Sequence, residues 1–129
     1  MGLFDKFFAG SGISKEQDST PWIDLNTMDQ LDAIMERSKT KTQLIFKHST
    51  RCGISRMVIG QFKKYYSSEE RATDLYYLDL IQYRNISNEV ADRFDVRHES
   101  PQLLVIRNEA VVSHASHGAI NDIELEKLV

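Results

Sequence analysis

From residue 21 onward, dense apolar runs alternate with stretches whose apolar residues recur every three or four positions. This alternation restricts the fold more than any other feature of the chain. The run "QLIFKHS" (43–49) has the pattern of a strand buried on both faces. Behind it Ile54, Val58, Phe62 and Tyr65 recur at helical spacing. "WIDL" (22–25) and "DLYYLDLI" (74–81) read as further strands. Leu31, Ile34 and Met35, after a Thr27–Gln30 capping box, read as a helix, as do Ile86, Val90 and Phe94. "QLLVI" (102–106) and "AVVSHA" (110–115) are spaced for a hairpin, although Asn108-Glu109 is a poorer turn than Asn-Gly. Asn121 is predicted to cap a last helix, with Ile120 and Leu125 as its hydrophobic staple. The order β-α-β-α-β-α-β-β-α is that of an α/β fold. Parallel strands joined by right-handed crossovers, closed by an antiparallel hairpin, give a central mixed sheet flanked by helices on both faces.

Residues 21–129 have a length that suits one domain. Residues 1–20 read as an N-terminal extension, with Leu3, Phe4, Phe7 and Phe8 on one face of a two-turn helix folding back on the domain and "AGSGISKEQDST" as linker. No segment approaches the ~20 apolar residues of a membrane span. "MGLFDKFFAGSG" lacks the basic start of a secretory signal and the Ser or Thr of a myristoylation site. One cysteine, Cys52, makes no intramolecular disulfide, so a reducing cytoplasm is the expected location.

The net charge of −3 is unevenly placed. Between Lys39 and Lys64 lie seven basic residues (Lys39, Lys41, Lys47, Arg51, Arg56, Lys63, Lys64) and no acid, against −10 for the remainder. A basic patch inside an acidic chain is not the footprint of a nucleic-acid binder, and no nucleic-acid partner is expected.

Cys52 lies inside that segment, directly after the central predicted strand. In open α/β sheets the binding edge is at the carboxyl ends of such strands. A thiol reacts as its thiolate, which helix N-termini and neighbouring cations favour. The first turn of the predicted helix, Arg51 and Arg56 supply both. Ser55, three residues on, is placed to offer its hydroxyl or N–H to the sulfur. The alternative is a small buried hydrophobe, as free cysteines often are. A phosphatase loop would need Arg where Val58 stands, a dithiol motif a second cysteine where Ser55 stands, and a peroxidatic site Thr and Pro where Ser49 and Ile45 stand. A cysteine hydrolase would need a histidine held against Cys52. His48, His98, His114 and His117 are each expected at the surface or in a loop, with no metal-ligand spacing. Pro101, just before a strand, is either a trans strand starter or a cis proline.

These residues resemble a known family. "TRCGIS" (50–55) is similar to the T-C-[PG]-I-S motif of the monothiol bacilliredoxins, the YtxJ-like proteins of Gram-positive bacteria that make bacillithiol. "HSTRCGISRM", "YYLDLI", "ESPQLLVI" and "SHGAI" follow in the same order, over about residues 22–129. Arg51 departs from that motif's adjacent Thr and Cys. The resemblance implies a thioredoxin-like fold and removal of bacillithiol from protein cysteines. Cys52 would be the nucleophile, in a loop of Thr50, Arg51, Gly53, Ile54 and Ser55. Ser100 and cis Pro101, Arg56 and Gly118 would bind the thiol ligand, whose malate carboxylates suit the positive segment. Bacillithiol is the expected cosubstrate, without a tightly bound cofactor or metal. S-bacillithiolated proteins are the expected clients of a monomer. A redox-inactive thioredoxin-like binding module and a cysteine hydrolase are the competing readings.

Overall fold

The computed structural model describes residues 20–66, 73–124 and 127–128. The proposed N-terminal helix and linker of residues 1–19, and Leu125, lie outside the described residues. Five strands form one sheet: β1 (Trp22–Asp24), β2 (Thr42–His48), β3 (Thr73–Asp79), β4 (Gln102–Arg107) and β5 (Ala110–Ser116), in the order β1-β3-β2-β4-β5. β1, β3 and β2 run parallel; β4 is antiparallel to β2, and β5 to β4. The helices are α1 (Met28–Arg37), α2 (Gly53–Tyr65) and α3 (Arg84–Phe94), and a 3-10 helix (His117–Asp122) closes the order.

The strand residues divide by alternation between two cores. Leu44 and Phe46 of β2, with Leu103 and Val105 of β4, pack on Val58, Ile59 and Phe62 of α2 and on Ile120. Ile45, Leu104 and Ile106 pack on Leu31 and Ile34 of α1 and on Ile86, Val90 and Phe94 of α3. Burying one side chain such as Phe62 contributes about 1.5–3 kcal/mol, so α2 is held firmly against β2. That contact fixes where the amino end of α2 stands.

The capping box forms as read: Gln30 N–H donates to Thr27 Oγ1 (3.3 Å) and Thr27 N–H to Gln30 Oε1 (3.0 Å). The hairpin forms despite its turn sequence. Asn108 and Glu109 take the left-handed φ values of 50° and 66° that a two-residue turn demands. Buried Ser38 compensates, its carbonyl accepting from Asn108 N–H (2.7 Å) and its Oγ from Glu109 N–H (2.8 Å). Two expectations are corrected. The last helix is a 3-10 turn that starts at His117, so Asn121 lies inside it and its side chain donates to Gln61 Oε1 (3.0 Å) instead of capping. Ile54 shares the helical spacing of the core but is 56% exposed, while Ser55 beside it in the first turn of α2 takes the buried place.

Candidate active site

β2 ends at His48, and four residues later Cys52 is the N-cap of α2, in extended conformation (φ −106°, ψ 122°). Its N–H donates to Ser49 O (3.2 Å), and its carbonyl accepts from Arg56 N–H (3.1 Å), the first bond of the helix. Its side chain makes no capping hydrogen bond. The half-buried sulfur therefore stands at a helix start, where unpaired N–H groups and the helix dipole favour an anion.

Strand register collects the other candidates at the same edge. Lys47 pairs with Gln102, so Pro101 falls opposite the level of His48. The Ser100–Pro101 bond is cis, as the resemblance implied, and Pro101 is buried. Ser100 Oγ is buried without a hydrogen-bond partner among the described residues. Ser116 also pairs with Gln102, which brings the 3-10 helix to this edge. Pro101 O accepts from His117 N–H (2.9 Å). Next to it Gly118 faces open space, with nothing within 4 Å of where a Cβ would stand. Thr50, Arg51 and Gly53 are exposed, as is Arg56, whose Nη1 donates to Thr50 O (3.4 Å). Ile54 and Met57, both more than half exposed, add an apolar rim.

The positive segment does not gather as a unit around the sulfur. Lys39 pairs with Glu36 (3.2 Å) and Glu109 (3.4 Å), and Lys41 with Asp74 (3.1 Å), all at the amino end of β2. A cavity of about 190 Å³ lined by Lys39, Lys41 and Arg107 lies at that far end, away from Cys52. Arg51 and Arg56 are the segment's basic residues in the Cys52 loop and the first turn of α2, and neither forms an ion pair among the described residues.

Ser55 also differs from expectation. It is wholly buried, and its Oγ accepts from Ser49 N–H (3.1 Å) and meets His48 Nδ1 (2.8 Å) rather than the sulfur. His48, expected at the surface, is only 5% exposed, and burial lowers its affinity for a proton. The histidine that a hydrolase would aim at Cys52 is thus engaged with Ser55. Sequence reading also missed Lys47. It is fully buried in β2, its Nζ donating to Ser87 O (3.3 Å) and meeting His98 Nδ1 (3.2 Å). Burial pushes its pKa down to about 8. A lysine inside "QLIFKHS" was the available signal. Among the described residues no His, Cys, Asp and Glu group could hold a metal, and no helix is long and apolar enough to cross a membrane.

The family model described as "Monothiol bacilliredoxin BrxC" matches residues 23–125. A solved protein named a candidate oxidoreductase with a thioredoxin fold is 36% identical, with a TM-score of 0.70, over 83% of this chain and 92% of that one. Thioredoxin from Trypanosoma brucei brucei is 14% identical (TM-score 0.66; 82% of this chain, 88% of that one), and thioredoxin F from spinach chloroplast is 16% identical (0.65; 88% of each). The last two likenesses establish the thioredoxin fold alone.

Proposed function

The chain belongs to the monothiol bacilliredoxin family, and on that premise we propose that it removes bacillithiol from protein cysteines, with Cys52 as the attacking thiol. Family and fold together mark a thiol oxidoreductase. The observation that carries the finer reading is the placement of Cys52: N-cap of α2, half-buried, its sulfur without a capping partner, at the sheet edge that also holds cis Pro101.

The Cys52 thiolate attacks the bacillithiol sulfur of a client's mixed disulfide. One S–S bond forms on Cys52, one breaks, and the client leaves as thiolate. Ser55 stands where a resolving cysteine would be, so a second thiol must clear the adduct by the same exchange and restore the Cys52 thiolate. Arg51 and Arg56 would meet the malate carboxylates, the backbone at Ser100 and Pro101 would pair with the extended ligand, and the space over Gly118 would admit it. Ile54 and Met57 would contact the client. The protein would work as a monomer in the cytoplasm, without a bound cofactor.

Incubation of the reduced protein with oxidised bacillithiol, followed by intact-mass measurement, tests this. The expected result is a gain of one bacillithiol, absent from Cys52→Ser. A wild type that gains nothing and leaves a bacillithiolated client unchanged would overturn the reading.

A further inference from the structure

Lys47 is fully buried, and the exchange just described gives it no task. Alternation along β2 puts its side chain on the face of Ile45, against α3, and not on the face of α2 and Cys52. There its Nζ donates to Ser87 O (3.3 Å) near the start of α3 and meets His98 Nδ1 (3.2 Å). Ser87 Oγ meets the same ring nitrogen (3.2 Å). An ammonium can only donate, so His98 Nδ1 is its acceptor. Burial, with Lys47 and Arg84 nearby, lowers the affinity of His98 for a proton and keeps that lone pair free. His98 is otherwise exposed. It lies in the 95–101 loop, which leaves α3 and carries Ser100 and Pro101 to β4. The root of that loop stands beside Lys47: Gln102 is the cross-strand partner of Lys47, and its Nε2 donates back to Arg97 O (2.9 Å). One side chain thus joins β2, α3 and the loop. An apolar residue would suit the position, since Ile45 and Leu104 are buried on the same face and a buried charged amine costs stability. An apolar residue could not hold His98.

We propose that Lys47 is a positioning residue: through His98 it holds the 95–101 loop against β2 and α3, so that the backbone of Ser100 and Pro101 stands ready for an extended ligand at Cys52. The inference rests on the reading that Cys52 attacks a mixed disulfide whose chain pairs with that backbone. Lys47 touches no reacting atom and moves no proton. A loop already held in place need not be ordered by the ligand, so the contact acts on affinity and not on the thiol.

The probe is a peptide whose cysteine carries thionitrobenzoate in a mixed disulfide, used at pH 7, below the Lys47 pKa of about 8. The Cys52 thiolate attacks the peptide sulfur, one S–S bond forms, one breaks, and the coloured thiolate leaves. Lys47→Met and His98→Phe should each raise the half-saturating peptide concentration about 3–10-fold, the range of one lost hydrogen bond, with the limiting rate unchanged. The double variant should be no worse than the worse single. His98→Asn, whose side-chain oxygen can accept where Nδ1 did, should keep the wild-type affinity. Iodoacetamide, which needs no loop, should alkylate Cys52 equally fast in every variant. Amide hydrogen exchange over 96–100 should quicken in Lys47→Met even as its urea midpoint rises, a pairing that general loosening of the fold does not produce. Should Lys47→Met fail to fold, the variants of exposed His98 test the same contact from its other side. Loop exchange unchanged in the variants, losses that multiply in the double variant, or a limiting rate that falls with affinity would overturn the proposal. The probe contains no bacillithiol. The expected pattern in a protein that gains no bacillithiol defeats the function and leaves the inference standing; a bacillithiol adduct without the pattern does the reverse.

Discussion

The two ends of β2 carry similar charge in sequence and opposite arrangements in space. At the amino end, Asp74 accepts from Gln43 Nε2 (2.8 Å) and pairs with Arg37 (2.8 Å) and Lys41 (3.1 Å), while Lys39 bridges Glu36 and Glu109. At the carboxyl end, Arg51 and Arg56 have no acidic partner among the described residues, Cys52 caps a helix without a bond from its sulfur, and Ile54 and Met57 are exposed. Groups satisfied within the fold stabilise it. Groups left unsatisfied at a strand's carboxyl end are available to a ligand. The comparison teaches that a run of basic residues has no single meaning: the fold puts Lys39 and Lys41 into ion pairs and leaves Arg51 and Arg56 open beside Cys52.

The strongest break of that comparison is Cys52→Ser. It should abolish bacillithiol uptake and client release by mass spectrometry while leaving the denaturation midpoint unchanged, since the sulfur holds nothing in the fold. At the other end, Asp74→Ala should do the opposite. It leaves Gln43 and two cations without their acceptor, at a cost of about 1–3 kcal/mol in urea unfolding, with transfer activity kept. Burial raises the Asp74 pKa, but hydrogen bonds from Gln43, Arg37 and Lys41 outweigh it, and the carboxyl is held below the usual range. A depressed folded pKa contributes stability above the unfolded value of ~3.9, lost as pH falls through the folded value. Wild type should therefore lose this part of its stability in acid, and Asp74→Ala should not. A variant of Asp74 that loses activity but not stability would erase the distinction between the ends.

Lys47 sharpens the contrast, because it is fully buried and its one shift has burial as cause, with no carboxylate opposing it. Keeping a charged amine buried costs stability, so Lys47→Met, apolar and of similar volume, should stabilise the fold at pH 7. The sign follows from the pKa near 8 in the fold against ~10.4 unfolded. Between those values the unfolded chain binds more protons, so wild-type stability should rise with pH over that window, and Lys47→Met should show no such rise. Urea midpoints measured from pH 7 to 10.5 check it; a flat wild-type profile would mean that the amine keeps its charge in the fold.

Local signals made the succession of strands and helices along the chain, the place of Cys52 and the candidate edge legible. A dense apolar run, a helical spacing and a capping box each act over a few residues, and sheet topology then fixes which strand ends meet. Long-range partners were not legible. Asp74 lies 31 residues from Gln43 and 37 from Arg37, and nothing in either neighbourhood announces the other. His48 and Ser55 are seven residues apart across a loop whose path only the packing of α2 on β2 decides. Asn121 carried a sound capping signal that tertiary contact overrode, since its amide reached Gln61. Ile54 kept helical spacing, yet in the first turn of α2 it is Ser55 that faces inward.

The smallest expected effect concerns the arginines, and it asks whether the unsatisfied half of the segment acts on the ligand or merely sits near it. Exposed charges gain little from a partner, about 0–1 kcal/mol each, because water and salt screen them. Arg51→Ala and Arg56→Ala should each slow transfer from a bacillithiolated client by up to about fivefold, and Lys39→Ala at the far end should leave it unchanged. Charge acting at this range weakens with salt. The gap between wild type and the arginine variants should therefore narrow as ionic strength rises from about 0.01 M toward 1 M, over which the screening length falls from ~30 to ~3 Å. Arg56 has a second, structural contact, its hydrogen bond to Thr50 O, so Arg56→Lys separates the two: it keeps the charge and loses the guanidinium fork. Activity retained in Arg56→Lys but lost in Arg56→Ala assigns the effect to charge. Equal losses in both, insensitive to salt, would place Arg56 with the satisfied residues of the segment and leave the charge effect at Cys52 to Arg51.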